Sequence, residues 1–192
     1  MVGTVPVGVE PTGIAITPNG AFAYVTNAVD STVSVINTAT DTVTVTIPGI
    51  PPSPASVAIS PSGDFAYVAG LSGLVTAIDT ATNAVVANVP VGGFLQGLAV
   101  TPNGAFVYVA QIFPSPSVSV ISTATNTVVA TVTVGNAPVG VAITPNGAFA
   151  YVSNLVDGTV SVIATSTNTV VATVPVGNAP EFLAVLSADY TD

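Results

Sequence analysis

The chain has 192 residues, enough for one domain with a sizeable core, and only 5% of them are charged, against about 25% in an ordinary soluble domain. All nine charges are acidic, giving a net charge of −9, and Lys, Arg, His and Cys are absent. This composition excludes nucleic-acid binding driven by counterion release, attraction to an anionic membrane surface, a thiolate metal site, and any catalytic device built on His, Cys or Lys.

The opening residues, Met1-Val2-Gly3-Thr4, lack a positive segment followed by an apolar run, so no secretory signal is read there. The expectation is a mature or trimmed chain rather than a cytosolic one. No stretch reaches the ~18 unbroken apolar residues of a membrane span, so membrane insertion is not expected. Residues 2–8 align with 171–177 and read as a strand without a unit of its own. A short apolar run follows, Gly13-Ile14-Ala15-Ile16, and then Thr17-Pro18-Asn19-Gly20, a hairpin signal because Asn and Gly tolerate positive φ. Phe22-Ala23-Tyr24-Val25 reads as a second strand and Thr32-Val33-Ser34-Val35-Ile36 as a third. A Thr-Ala-Thr-Asp turn at 38–41 leads to a fourth, whose counterpart in the next copy is Val85-Val86-Ala87-Asn88-Val89.

The same order then recurs. The turn appears at Thr17, Ser60, Thr101 and Thr144, with spacings of 43, 41 and 43 residues, and Tyr24, Tyr67, Tyr108 and Tyr151 repeat those spacings. Repeat units therefore span about 13–55, 56–96, 97–139 and 140–181, with spare terminal strands at 2–8 and 182–186. No segment has a helical period, and β-branched residues dominate. Four-stranded units at this period predict an all-β fold, a single-domain β-propeller of four four-stranded blades with spare strands at both termini. Small residues such as Gly13, Ala15, Ala58, Ala99 and Ala142 fall on the first strand of each unit, where blades crowd an axis. The Phe22/Tyr24, Phe65/Tyr67, Phe106/Tyr108 and Phe149/Tyr151 pairs lie at i, i+2, so each pair shares a face and is expected to fill the wedge between blades.

Tyr24-Val25-Thr26-Asn27 and Tyr151-Val152-Ser153-Asn154, with the strands at 32–36 and 171–177, resemble the YVTN family of β-propeller repeats over nearly the whole chain. Gly70 and Gln111 stand where that family has Asn, and Leu95 stands where the other copies have Pro. The resemblance implies a bacterial or archaeal surface-layer or cell-surface setting and a mostly non-catalytic role, in a family whose propellers usually have more blades than four.

The remaining chemistry rests on carboxylates, Tyr phenols and hydroxyls. Paired carboxylates would suit a glycosidase, but Asp30 and Asp157 occupy one position of the repeat, in the turns between second and third strands, and are read as turn residues. Asp41 and Asp79 sit at hairpin turns, Asp64 follows one, and Glu10, Glu181, Asp189 and Asp192 lie near the termini as solvating charges. No Asp-x-Asp-x-Asp run or phosphate-binding glycine fingerprint is present, so no catalytic, cofactor or metal residue is expected. Three functions are weighed. The first is an extracellular or cell-surface structural protein that assembles with itself as a filament or surface layer, with exchange of a terminal strand as one route. Absence of Lys and Arg also leaves trypsin-like proteases no cleavage site. The second is a binding module that takes a glycan or surface protein on a propeller face, with 50–54, 94–96 and 111–116 as the irregular stretches. An enzyme is the third and least supported. No nucleic-acid partner is expected.

Overall fold

A computed structural model of the chain describes residues 3–181, 183 and 184. Sixteen strands form four separate four-stranded antiparallel sheets, each a run of consecutive strands. The first sheet comprises β1 (Pro11–Ile16), β2 (Phe22–Asn27), β3 (Thr32–Asn37) and β4 (Thr42–Ile47). The second comprises β5 (Pro54–Ile59), β6 (Phe65–Gly70), β7 (Leu74–Asp79) and β8 (Ala84–Pro90). The third comprises β9 (Phe94–Val100), β10 (Phe106–Phe113), β11 (Ser117–Ser122) and β12 (Thr127–Thr133). The fourth comprises β13 (Pro138–Ile143), β14 (Phe149–Asn154), β15 (Thr159–Ala164) and β16 (Thr169–Pro175). The all-β propeller of four four-stranded blades expected from the repeat is the fold. There is no helix among the described residues, and so none able to cross a membrane.

Each hairpin between the first and second strands closes on the same small network. Thr17 Oγ1 donates to Asn19 Oδ1 at 2.7 Å, Phe22 N donates to Thr17 Oγ1 at 3.0 Å, and Gly20 N donates to the Thr17 carbonyl at 2.7 Å. Gly20 has φ +71, a left-handed value costly for a residue with a Cβ. Thr101/Asn103 and Thr144/Asn146 repeat the network, and Ser60/Ser62 carries a hydroxyl version of it. The hairpin between third and fourth strands turns on Asp41, Asn83, Asn126 and Asn168, all with φ between 52 and 54. Asx side chains tolerate that region best among non-glycine residues.

The sheets pack face on face in chain order, β1 beside β5, β5 beside β9 and β9 beside β13. Three junctions result, each with its own apolar cluster. Tyr24, Val33, Val35 and Ile47 of the first sheet meet Val57, Ala66, Val68 and Ile78 of the second. Tyr67, Val75, Ala77 and Val89 meet Leu98, Val107, Val109 and Ile121, and Tyr108, Val118, Val120 and Val132 meet Ala150, Val152 and Ile163. The inner strands come so close that a Cβ on Gly13 would lie 2.8 Å from Ser56 Cα. That is why the repeat keeps Gly or another small residue there. Of the aromatic pairs, only the tyrosines fill the wedge: Tyr24, Tyr67 and Tyr108 are 1–3% exposed. Phe22, Phe65, Phe106 and Phe149 remain 36–38% exposed, because each opens its strand beside the hairpin at the rim.

Residues 3–10 precede the first strand, and 3–7 take no part in any ladder. They occupy the place of 130–137, which lead from β12 into β13, but no sheet precedes the first for them to pair with. Of the expected strand at 182–186, only Leu183 and Ala184 are described and the rest lies outside the described residues. Glu181 O and Leu183 N lie against Gly140 as Val139 O and Val141 N lie against Gly97.

Candidate functional site

The carboxylates are held by the backbone of their own turns and crossovers. Asp30 accepts Val9 N at 2.8 Å, and at the equivalent point of the fourth sheet Asp157 accepts Asn136 N at 2.7 Å and Asn136 Nδ2 at 2.9 Å. Both therefore latch the segment that enters their sheet, with Gly8 and Gly135 packed directly beneath. The Asn136 amides hold the Asp157 carboxyl below the usual carboxylate range. Asp79 accepts Thr82 N and Thr82 Oγ1, both at 2.8 Å, and is likewise held low. Sequence reasoning placed these residues in turns but missed the latch, because Val9 and Asn136 lie 21 residues upstream of their partners. The one trace in the sequence is that Gly8-Val9 and Gly135-Asn136 stand at the same repeat position, just ahead of β1 and β13. No group of three or more acidic residues gathers as a cation site among the described residues.

The Asn of the Tyr-Val-Thr-Asn stretch is structural as well. Asn27 Nδ2 donates to Thr32 Oγ1 and Ser34 Oγ at 2.9 and 3.0 Å, and Asn154 Nδ2 donates to Thr159 Oγ1 and Ser161 Oγ at 3.0 and 2.9 Å. Both side chains are fully buried and tie the second strand to the third. Their Oδ1 atoms have no partner among the described residues.

An axial groove of about 530 Å³ runs past the starts of β1 and β5, where Glu10, Thr12, Pro54 and Gln96 line it. A second hollow of about 420 Å³ continues from Gln96 towards Gly140 and Glu181. Without a cation nearby, this surface offers an anion only backbone and amide donors. The irregular stretches do not converge as one site. Ile50 is buried, Gln111 donates through Nε2 to the Phe113 carbonyl, and Phe94 and Phe113 pair with ring centroids 5.9 Å apart. That pair is 50% and 59% exposed, its rings tilted 34° to each other, and it offers an apolar ring face of the kind on which a sugar stacks.

The two ends of the array carry the largest deviation from the repeat. Ile14 is 65% exposed, whereas its counterparts under a preceding sheet are less so, Val57 and Leu98 at 9% and 8% and Val141 half-buried. At the other end Val174 is 44% exposed, whereas Ile47, Val89 and Val132 are 1–5% exposed under a following sheet. Ile16 is exposed where Ile59, Val100 and Ile143 are half-buried, Tyr151 is half-buried where Tyr24, Tyr67 and Tyr108 are buried, and every residue of β16 is exposed.

No family model matches the chain, and no curated protein matches it. Among solved structures, hydrazine synthase from Kuenenia stuttgartiensis aligns with a TM-score of 0.82 at 22% identity, over 92% of this chain and 53% of that one. A protein of unknown function from Desulfotomaculum acetoxidans DSM 771 aligns with a TM-score of 0.84 at 23% identity, over 94% of this chain and 61% of that one. Likeness at this identity establishes the class, a β-propeller-like all-β repeat fold, and nothing of the activity. The chain spans less than two thirds of the length of either structure.

Proposed function

We propose that the chain is a non-catalytic, extracellular or cell-surface structural protein that assembles with copies of itself into a filament or surface layer. The observation that carries this reading is the exposure of Ile14, Ile16 and Val174, at repeat positions that are buried or half-buried wherever two sheets meet. Apolar faces of this kind on both ends favour association over a dispersed monomer. Absence of Lys removes the commonest device for blunting an exposed strand edge, which β16 presents. A role at the cell surface is supported by the resemblance to YVTN repeats and by a chain without trypsin-type cleavage sites. The non-catalytic reading is supported by carboxylates engaged with their own backbone and by the lack of His, Cys and Lys. Electron microscopy of the purified protein near neutral pH, without cross-linking, is expected to show filaments, rings or ordered arrays. A uniform field of single-chain particles contradicts the proposal.

A second reading, a binding module for a glycan or surface protein, is favoured by the exposed Phe94–Phe113 pair. Under it, titration with neutral oligosaccharides perturbs the resonances of both rings, and Phe113→Ala removes the response. An unchanged spectrum across the panel sinks the glycan form of this reading.

A further inference from the structure

We propose that the Tyr151 face of the fourth sheet in one copy docks on the Ile14 face of the first sheet in the next, so that chains join head to tail. The junction formed is a further repetition of the three that already join sheets within the chain. The inference rests on the self-assembly reading above and specifies its interface.

The two faces are the halves of a contact the chain builds three times. In each internal junction one sheet offers a Tyr and three aliphatic or small apolar residues from its outer strands. Following sheets answer with residues of their first, second and third strands. On the fourth sheet the offering set is Tyr151, Val160, Val162 and Val174, at the positions of Tyr24, Val33, Val35 and Ile47; Val174 is exposed, Tyr151 is half-buried, and Val160 and Val162 are already buried at 7% and 8%. On the first sheet the answering set is Ile14, Ala23, Val25 and Ile36, at the positions of Val57, Ala66, Val68 and Ile78; Ile14 is exposed, while Ala23 and Val25 are already buried. Ile36 is half-buried, while its counterparts Ile78, Ile121 and Ile163 are fully buried.

The polar part of the contact matches too. Tyr24 donates its hydroxyl to Asn83 Oδ1 at 2.8 Å, and Tyr108 donates to Asn168 Oδ1 at 2.5 Å, each reaching the left-handed turn of the following sheet. At that turn position the first sheet carries Asp41, with the same backbone conformation at φ 52. Asp41 is the one carboxylate in the set, and a carboxylate accepts a phenol hydrogen more strongly than an amide oxygen does. Tyr151 of one copy thus meets Asp41 of the next. Along the axis, Gly140 leaves room for a backbone, as Gly13 does for Ala55 and Ser56. Glu181 and Leu183 lie there in the single chain, and Thr12 and Gly13 of the incoming copy replace them.

A head-to-tail contact is heterologous, so one bad face does not spoil the other. That property gives the test. Ile14→Asp disables only the first-sheet face and Val174→Asp only the fourth-sheet face, both at exposed positions where folding does not depend on the side chain. By sedimentation, each variant alone is expected to lose self-association by on the order of a hundredfold or more, because a charge would have to enter an apolar contact. Mixed together, the two form a one-to-one dimer through the single intact pair of faces. Tyr151→Phe weakens assembly of the otherwise unchanged chain about fivefold to tenfold, the loss of one hydrogen bond. If the wild-type chain assembles but both Asp variants assemble equally well, the interface is elsewhere and this inference is wrong while the self-assembly reading stands. If both variants are monomeric and the mixture stays monomeric, the contact is not head to tail and the inference again fails. A wild-type chain that is monomeric at every concentration overturns both.

Discussion

At the scale of the residue, the tyrosines show what a position is worth when its neighbour is present. Tyr24 fills a junction and donates to Asn83, so Tyr24→Phe is expected to cost about 1 kcal/mol in chemical denaturation and Tyr24→Ala about 3–5 kcal/mol. Tyr151 holds the same repeat position without a following sheet, and Tyr151→Phe leaves the stability of the single chain unchanged within experimental error. Equal losses at the two sites would contradict the open-ended arrangement. Burial raises the Tyr24, Tyr67 and Tyr108 hydroxyls above their ordinary value, with the nearby Asp79 charge adding to the effect at Tyr24. Between the unfolded value near 10 and the higher folded one, the unfolded chain releases protons that the folded chain retains, so stability falls as pH rises through that window. An alkaline titration should therefore show tyrosinate absorbance from these residues appearing together with loss of β-sheet signal. Asp157 and Asp79 work at the opposite end. Their carboxyls are held low in the fold, so their contribution is complete above about pH 4 and is lost as pH falls through their folded values. Asp157→Asn is expected to flatten the acid limb of a stability profile, and an unaltered limb would show that the Asn136 latch contributes nothing.

Individual strands and turns obey local rules, and most of them were legible in the sequence. Thr-Pro-Asn-Gly turns, β-branched strands and a period of 41–43 residues place fifteen hairpin or crossover connections without reference to tertiary contacts. The positive φ at Asp41, Asn83, Asn126 and Asn168 follows from the turn chemistry of Asx residues. Contacts between units were less legible. Nothing at Asp30 announces Val9 as its partner, since the latch crosses from one unit into the next. Phe94 and Phe113 meet only because β10 runs longer than the other second strands, which a loop-length irregularity in the sequence does not reveal. Tyr and Phe at i, i+2 look equivalent in sequence, and only their distance from the rim separates a buried ring from an exposed one. The glycines of the inner strands carry the strongest element-scale prediction. A Cβ at Gly97 would collide with the Val139 carbonyl of the next sheet, so Gly97→Val is expected to destabilise by about 1–3 kcal/mol or more through overpacking. A thermal melt no different from wild type would mean that neighbouring inner strands yield easily, contrary to the close packing described.

For the whole molecule, the decisive property is that among the described residues four sheets make three junctions and leave Ile14 and Val174 exposed on the two end faces. Counting repeats in the sequence predicts the number of blades, but whether they close depends on the rotation between successive sheets. That rotation is set by wedge side chains acting together rather than by any one motif. Structures that share the fold extend well beyond the matched part, which corresponds to 53% and 61% of their chains. A net charge of −9 opposes association at low ionic strength, so added salt is expected to promote assembly by screening it. Assembly that weakens with salt would instead point to ionic contacts, which a chain without cations cannot supply. Whether head-to-tail addition closes as a ring or continues as a filament follows from the same rotation, and both products contain the same contact. The most direct test of the account is sedimentation velocity of the wild-type chain over a concentration series at neutral pH and moderate salt. The weight-average sedimentation coefficient is expected to climb with concentration as copies add through their end faces. A single boundary at the mass of one chain, unmoved across the series, would contradict it.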